Sequence, residues 1–245
     1  MILNFDSIGE GEPVVFLHTG LQTGASDFKL PREILKDQRK VLFPDLRGHG
    51  KSHHEEFQNY FVDSAEDLKE TLDDINIDKV HLVGCSLGGL VSLLFAKQYP
   101  ERITSLTLSG VTADKPDNWD ELHADEASFQ KELLNNKELV RQLDQRHESD
   151  WKQLIHIAEN KEWYPFDFTS DLEGIKVPIL YIVGEGNKAE VESAVKYQRQ
   201  YENVHVSVIP FASHLVHEQK PLVYAQQLEE FLDLVEGIDL QHLES

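Results

Sequence analysis

Apolar residues occur along this chain in short runs that alternate with segments of helical periodicity. Six runs rich in β-branched residues predict strands at 13–17, 40–43, 79–83, 103–109, 179–183 and 204–209. Apolar positions spaced three to four apart predict helices at 63–75, 87–99, 189–201 and 222–235. Alternating strands and helices predict an α/β fold with a mostly parallel central sheet and helices on both faces.

One stretch, residues 112–174, breaks this alternation. It has no convincing strand, several amphipathic helical patches and seven aromatic residues: Trp119, Phe129, Trp151, Trp163, Tyr164, Phe166 and Phe168. We expect a helical cap inserted into a core formed by residues 1–111 and 175–245, with one structural domain overall.

The composition narrows the class of partner. The 245 residues carry a formal charge of −21, which disfavours nucleic acid and anionic membranes as partners and favours solubility.

Cys85 is the single cysteine, so no internal disulfide is possible and no cysteine-based zinc site is expected. No apolar run reaches the roughly 18 residues of a membrane span, and no secretory signal is recognisable, so we expect a cytoplasmic protein. The oligomeric state is left open.

A serine stands on a predicted tight turn between a strand and a helix, in Gly84-Cys85-Ser86-Leu87-Gly88. Small residues on both sides allow a strained backbone that projects the serine hydroxyl at the sheet edge. The helix that begins at Leu87 offers free N–H groups to a developing negative charge. The pattern predicts Ser86 as a nucleophile.

A serine nucleophile needs a base, and histidine is the usual base at neutral pH. Among twelve histidines, His214 lies in a polar loop directly after the last predicted strand and before the last helix. The chain order, with the nucleophile first and the histidine last, is typical of one class of serine hydrolase. We therefore predict His214 as the base. Cys85 is expected to be a buried small side chain without chemistry.

Five segments in order resemble the α/β-hydrolase superfamily, in the branch of small capped esterases, lactonases, carbon–carbon bond hydrolases and cofactor-free haloperoxidases. The segments are residues 15–20, residues 45–52, the turn at Ser86, residues 177–184 and the His214 loop, which runs on to Pro221. The resemblance covers nearly the whole chain. It implies an α/β-hydrolase fold and no metal or organic cofactor.

The resemblance also implies the oxyanion donors, which are the backbone N–H groups of Gly20 and Leu87. Thr19 stands where the family usually has glycine after His18. His18 and His49 are expected to bridge loops and not to carry protons.

The third member of the triad is the largest departure from the family pattern. The position that usually holds an aspartate is Asn187, which can fix the histidine tautomer but supplies no negative charge. Three explanations stay open: a Ser-His-Asn triad, a substitute carboxylate from Glu185 or Asp114, or an aspartate replaced so that a bound ligand is trapped.

The sequence thus favours an enzyme, a carboxylic-ester hydrolase that cleaves a small, mainly apolar ester, thioester or lactone through an acyl-enzyme on Ser86. Two alternatives remain: a carbon–carbon bond hydrolase or lyase on the same site, and a slow or non-catalytic ligand-binding signalling protein.

Overall fold

The computed structural model describes residues 1–237. Seven strands form one sheet: β1 (Phe5–Ile8), β2 (Glu12–Leu17), β3 (Arg39–Pro44), β4 (Val80–Cys85), β5 (Ile103–Ser109), β6 (Ile179–Gly184) and β7 (Val204–Ile209). Their order is β1-β3-β2-β4-β5-β6-β7. Only β1 runs antiparallel to its neighbour, so the predicted, mostly parallel sheet is confirmed.

Ten α-helices lie in the described part of the chain: α1 (Lys29–Leu35), α2 (Tyr60–Asp74), α3 (Leu87–Gln98), α4 (Trp119–Asn135), α5 (Lys137–Arg146), α6 (Lys152–Ala158), α7 (Phe166–Thr169), α8 (Lys188–Gln200), α9 (Val216–Gln219) and α10 (Pro221–Glu236). The four helices predicted from periodicity correspond to α2, α3, α8 and α10. None of the helices between residues 1 and 237 is long and apolar enough to span a bilayer.

Residues of β2, β3, β4 and β6 enter two hydrophobic cores, one on each face of the sheet. In β2, Val15 and Leu17 pack into the core that contains residues of α2, α3 and α8. Val14 and Phe16 pack into the opposite core with residues of α1, α9 and α10. Since a parallel sheet needs both faces covered, this pattern explains the continuous apolar runs in the sequence.

Four helices, α4 to α7, follow one another between β5 and β6, within the stretch that the sequence assigns to the cap. Leu133, Leu143, Trp151 and Ile155 form a separate small core there. Helix α4 contributes one buried residue, Leu133, and exposes Phe129 at 59% of its surface. Helices α4 and α5 therefore pack against each other, whereas Leu154 of α6 packs into the core that contains residues of α2, α3 and α8.

Candidate active site

Ser86 occupies a sharp turn between β4 and α3 at the carboxyl end of the sheet. Its backbone has φ 53° and ψ −119°, a conformation that L-residues rarely adopt and that is held here by the surrounding structure. The turn admits no side chain at its flanks: a Cβ on Gly84 would lie 2.3 Å from Gly88 O, and one on Gly88 would lie 2.1 Å from Leu17 O. The close approach places the first turn of α3 against the end of β2.

His214 lies in the loop between β7 and α9, half-buried, with its ring facing Ser86. The distance from His214 Nε2 to Ser86 Oγ is 3.0 Å. Gly110, with φ 64°, leaves room for the ring, because a Cβ there would lie 2.9 Å from His214 Cε1. The structure thus brings together the two residues that the sequence singles out as nucleophile and base.

The carboxylate that contacts the other ring nitrogen is Glu190, which the sequence reasoning missed. Its Oε1 accepts a hydrogen bond from His214 Nδ1 at 2.6 Å, and its side chain is 1% exposed. Glu190 lies in the first turn of α8. Because Nδ1 donates to Glu190, the neutral ring can accept the Ser86 hydroxyl proton at Nε2.

Asn187, the residue expected beside His214, contacts Glu190 instead. Its Nδ2 donates to Glu190 Oε1 at 2.6 Å, and its Oδ1 accepts from the backbone N–H of Glu190 at 3.3 Å, which caps α8. The structure therefore does not bring Asn187 into hydrogen-bond contact with the His214 ring. The side chain supports the ring only through Glu190.

The two alternative acids also lie elsewhere. Glu185 is exposed, and its Oε1 accepts from the backbone N–H of Phe211 at 3.0 Å. Asp114 is 61% exposed and pairs with Lys196 at 2.6 Å. Each carboxylate bonds to another group at the protein surface, and neither contacts the His214 ring.

The electrostatics of the His214 ring are dominated by burial and by Glu190. Burial disfavours the charged ring and lowers the pKa of His214, but the hydrogen bond and negative charge of Glu190 outweigh it and raise the pKa to about 9. Smaller contributions in the same direction come from Cys85 and from Glu126 on α4. The arrangement holds a proton on His214 until the solution is alkaline.

The residues expected to supply the oxyanion donors are Gly20 and Leu87. The N–H groups of Gly20 and Leu87 donate to no other residue between positions 1 and 237. The N–H of Thr19, in contrast, donates to Asp27 Oδ2 at 2.8 Å. Gly20 is thus the first residue after His18 whose backbone N–H has no partner among residues 1–237 and can bind a ligand.

His18 and His49 bridge loops near this segment. His18 Nε2 accepts from the N–H of Leu46 at 2.9 Å, and His49 Nε2 accepts from the N–H of Leu21 at 3.3 Å. His147, from the end of α5, joins them: its Nδ1 accepts from Gly50 N–H at 2.9 Å and its Nε2 donates to Leu21 O at 3.1 Å. The cap stretch is therefore tied to the loop that follows β2.

One group of side chains in the described residues has the spacing of metal ligands. Asp27, His217 and Glu218 bring three potential ligand atoms within 4.8 Å of one another. Asp27 and His217, however, already bond to each other at 2.8 Å, and Glu218 is exposed. Among residues 1–237, the side chains around Ser86 form no such group.

Three known proteins are similar to this chain, two of them over 93% of its length. An sn-1-specific diacylglycerol lipase of Danio rerio is 27% identical over 93% of this chain and 80% of its own length. A 2-hydroxy-6-oxo-2,4-heptadienoate hydrolase of Pseudomonas putida is 35% identical, but over 44% of this chain and 40% of its own length. The crystal structure of NosK from Streptomyces actuosus superposes with a TM-score of 0.81 at 25% identity, covering 93% of this chain and all of that chain.

The family assignment is independent of these individual similarities. Residues 12–154, more than half of the chain, match the family model described as the alpha/beta hydrolase fold. That range contains the strand-turn-helix unit of Ser86, and the sheet order and loop positions fit the same architecture. The chain therefore belongs to the α/β-hydrolase fold family.

Proposed function

We propose that this protein is a serine hydrolase that cleaves a small, mainly apolar carboxylic ester, thioester or lactone through an acyl-enzyme on Ser86. The observation that carries the proposal is the continuous chain of hydrogen bonds from Ser86 Oγ to His214 at 3.0 Å and from His214 to Glu190 at 2.6 Å. A nucleophile, a base and a buried orienting carboxylate in contact are the requirements for acyl transfer.

In the first half of the reaction, Ser86 Oγ attacks the carbonyl carbon and its proton passes to His214 Nε2. Glu190 keeps Nδ1 protonated and balances the positive charge that the ring then carries. The negative charge on the substrate oxygen is received by the N–H groups of Gly20 and Leu87. The bond to the leaving group breaks, and His214 returns the proton to the departing alcohol or thiol.

In the second half, water takes the place of the leaving group. His214 removes a proton from the water as its oxygen attacks the acyl carbon, and the same two N–H groups hold the oxyanion. The Ser86 ester bond then breaks, and the proton returns from His214 to Ser86 Oγ. The products are the carboxylic acid and the free enzyme.

The aromatic residues of the cap stretch support an apolar substrate. Phe166 packs against Trp119 and Tyr164, with ring centroids 4.9 and 4.5 Å apart. The Tyr164 hydroxyl donates to Thr112 O at 3.1 Å, three residues beyond the end of β5. We therefore propose that this stretch forms a lid over the strand ends and limits substrate size. The lipase relative, whose name denotes an ester substrate, agrees with this choice.

The test is a series of p-nitrophenyl esters of increasing acyl length, with pre-steady-state kinetics at excess substrate. We expect a burst of about one p-nitrophenol per chain, preference for short apolar acyl groups, and labelling of Ser86 by a fluorophosphonate. S86A and H214A should lose the burst and the labelling. A wild-type chain inert toward all these esters and toward the fluorophosphonate would rule the proposal out.

A second candidate, carbon–carbon bond hydrolysis, is favoured by the heptadienoate hydrolase relative at 35% identity over its matching segment. The same residues would serve, since the bond that breaks is also adjacent to a carbonyl. Turnover of a vinylogous diketone without turnover of activated esters would select this reaction.

The argument for a ligand-binding role without catalysis is that Asn187 stands where the family usually has an aspartate. Glu190 supplies the missing carboxylate from the next turn of the chain. The contact removes the reason to expect an unsupported histidine.

A further inference from the structure

A buried ion pair lies beside the proposed oxyanion loop, and none of the steps above uses it. Asp27 Oδ1 accepts a hydrogen bond from His217 Nε2 at 2.8 Å, and the two residues are 2% and 3% exposed. Burial lowers the pKa of His217, but the neighbouring Cys85 and Asp27 side chains raise it to about 10. The contact with Asp27 favours the charged form of the His217 ring. It lies in α9, three residues after His214.

The second oxygen of Asp27 holds the residue before Gly20. Asp27 Oδ2 accepts from the N–H of Thr19 at 2.8 Å and from the Thr19 hydroxyl at 3.0 Å. The one carboxylate thus joins two loops: the segment that follows β2 and the segment that follows His214.

The surroundings leave this pair little freedom to move. The ring of Phe28 stacks on the ring of His217, with centroids 4.1 Å apart and planes 22° apart. Phe28 has φ 49°, and its N–H donates to Asp27 Oδ1 at 2.9 Å. A left-handed backbone at a bulky residue persists only where its neighbours hold it. Because the interior is close-packed, a movement of the Asp27 carboxylate would also move Thr19, which is hydrogen-bonded to it.

We propose that the Asp27–His217 pair is a positioning device that holds the Gly20 N–H against the substrate oxyanion and fixes that loop relative to the His214 loop. The inference rests on the proposed function. Oxyanion donors act within a few tenths of an ångström of about 3 Å, so a small displacement of Gly20 reduces the rate. Thr19 contributes a second hydrogen bond to Asp27 that the usual glycine could not provide.

The test compares D27N and T19V with a matched control, D233N. D27N removes the charge at nearly constant volume, and T19V removes only the hydroxyl. Asp233 accepts a hydrogen bond from buried Arg39, at the amino end of β3 and far along the chain from Gly20. D233N therefore weakens a comparable ion pair without touching the oxyanion loop.

Two readouts separate positioning from stability: kcat and KM for p-nitrophenyl acetate, and inhibition by an aryl trifluoromethyl ketone. Ser86 adds to the ketone carbonyl and passes its proton to His214, which leaves an anionic oxygen at the donors. We expect D27N to lower kcat about 10- to 100-fold and to weaken ketone binding by a similar factor, with KM changed less than about 2-fold. T19V should show a smaller loss of the same kind, and T19S should recover most of it.

D233N should lower the unfolding midpoint without weakening ketone inhibition. If D27N and T19V lose stability but keep wild-type kcat and ketone affinity, the pair is only structural and the inference is wrong. If D27N does not fold, T19V alone decides between these outcomes. A wild-type chain that neither hydrolyses esters nor reacts with a fluorophosphonate would instead overturn the proposed function, and the positioning role with it.

Discussion

Glu190 Oε1 lies 2.6 Å from His214 Nδ1 and accepts its hydrogen bond, although Glu190 stands three residues beyond the position where the family usually carries its acid. The displacement moves the acid from the loop after β6 into the first turn of α8. Helix α8 then fixes the backbone of the acid, and Asn187 fixes its side chain. His214 is supported by a buried full charge, as in a triad with aspartate.

The variant E190Q removes the negative charge of Glu190 and keeps nearly the same side-chain size. We expect kcat/KM to fall by about 10²- to 10⁴-fold, because the amide does not balance the imidazolium charge and, unlike a carboxylate, can also donate to Nδ1 and stabilise the other tautomer. In the wild type, kcat/KM should rise with pH toward about 9, since the base must be neutral and its pKa is raised to about 9. In E190Q the rise should move to lower pH, because burial remains and the negative charge is lost.

The measurement is a pH profile of kcat/KM with a p-nitrophenyl ester. E185Q is the matched control, because Glu185 is exposed and bonds to Phe211 N–H. Its profile should superpose on that of the wild type. Equal losses in the two variants would show that Glu190 has no special role.

N187D should slow the enzyme, although it restores the residue that the family usually carries. Aspartate caps a helix as well as asparagine does, so α8 should keep its start. The new carboxylate, however, replaces the Nδ2 donor beside Glu190 with a second negative charge, and two adjacent carboxylates raise the pKa of one of them. Loss of a hydrogen bond to a charged group predicts a decrease in kcat/KM of about 10-fold or more.

N187S is the control for this variant, because serine also caps a helix but adds no charge. Its kcat/KM should lie between those of the wild type and N187D. A faster N187D would mean that residue 187, and not residue 190, contacts the histidine during turnover.

For the active site, the sequence-based prediction and the structure differ most at residues 187–190. Strands, the turn at Ser86 and His214 are visible in the sequence because apolar runs, glycines and chain order are local patterns. The supporting acid is defined by a distance to a ring 24 residues away along the chain. A local signal did exist: Asn187-Lys188-Ala189-Glu190 has the spacing of a helix N-terminus, which places residues 187 and 190 on one side of the first turn.

Strand β1 was missed for a different reason. Its four residues are partly exposed and pair at the sheet edge with β3, so they carry no apolar run. The Asp27–His217 pair likewise joins positions 190 residues apart. Contacts between residues so far apart along the chain form only when the chain is packed, so no periodic pattern in the sequence indicates them.

Acid should destabilise the protein through His147, which ties the cap stretch to the loop after β2, and through the neighbouring buried rings of His18 and His49. Burial lowers the pKa of His147 to about 4, and it lowers the pKa of His18 and His49 as well. The unfolded chain takes up protons below about pH 6.5, but the folded rings do not. The stability that these rings contribute is thus complete above pH 6.5 and is lost as the pH falls toward 4.

Urea unfolding at pH 7.5 and pH 5 measures this loss. We expect H147N to lose less stability between the two pH values than the wild type, by on the order of 1 to 2 kcal/mol. H156N, which removes an exposed ring on α6, should lose as much as the wild type. Identical losses in all three proteins would exclude His147 as a source of acid sensitivity.

G110A should damage the site more than the fold. Gly110 has φ 64°, so an alanine there costs about 1 to 2 kcal/mol of backbone strain. Its Cβ would also lie 2.9 Å from both His214 Cε1 and the backbone nitrogen of Ser86. Since real Cβ contacts are not this short, the ring or the turn must move, and the 3.0 Å hydrogen bond between them must lengthen.

G174A is the matched control for the strain. Gly174 has φ 86°, and a Cβ there would meet nothing within 4 Å. Both variants should lower the unfolding midpoint by similar amounts, whereas only G110A should reduce kcat/KM, by about 100-fold, the loss expected when a base is displaced by about 1 Å. If G110A kept wild-type kcat/KM and fluorophosphonate labelling, the Ser86–His214 contact would not be the one that activates the serine.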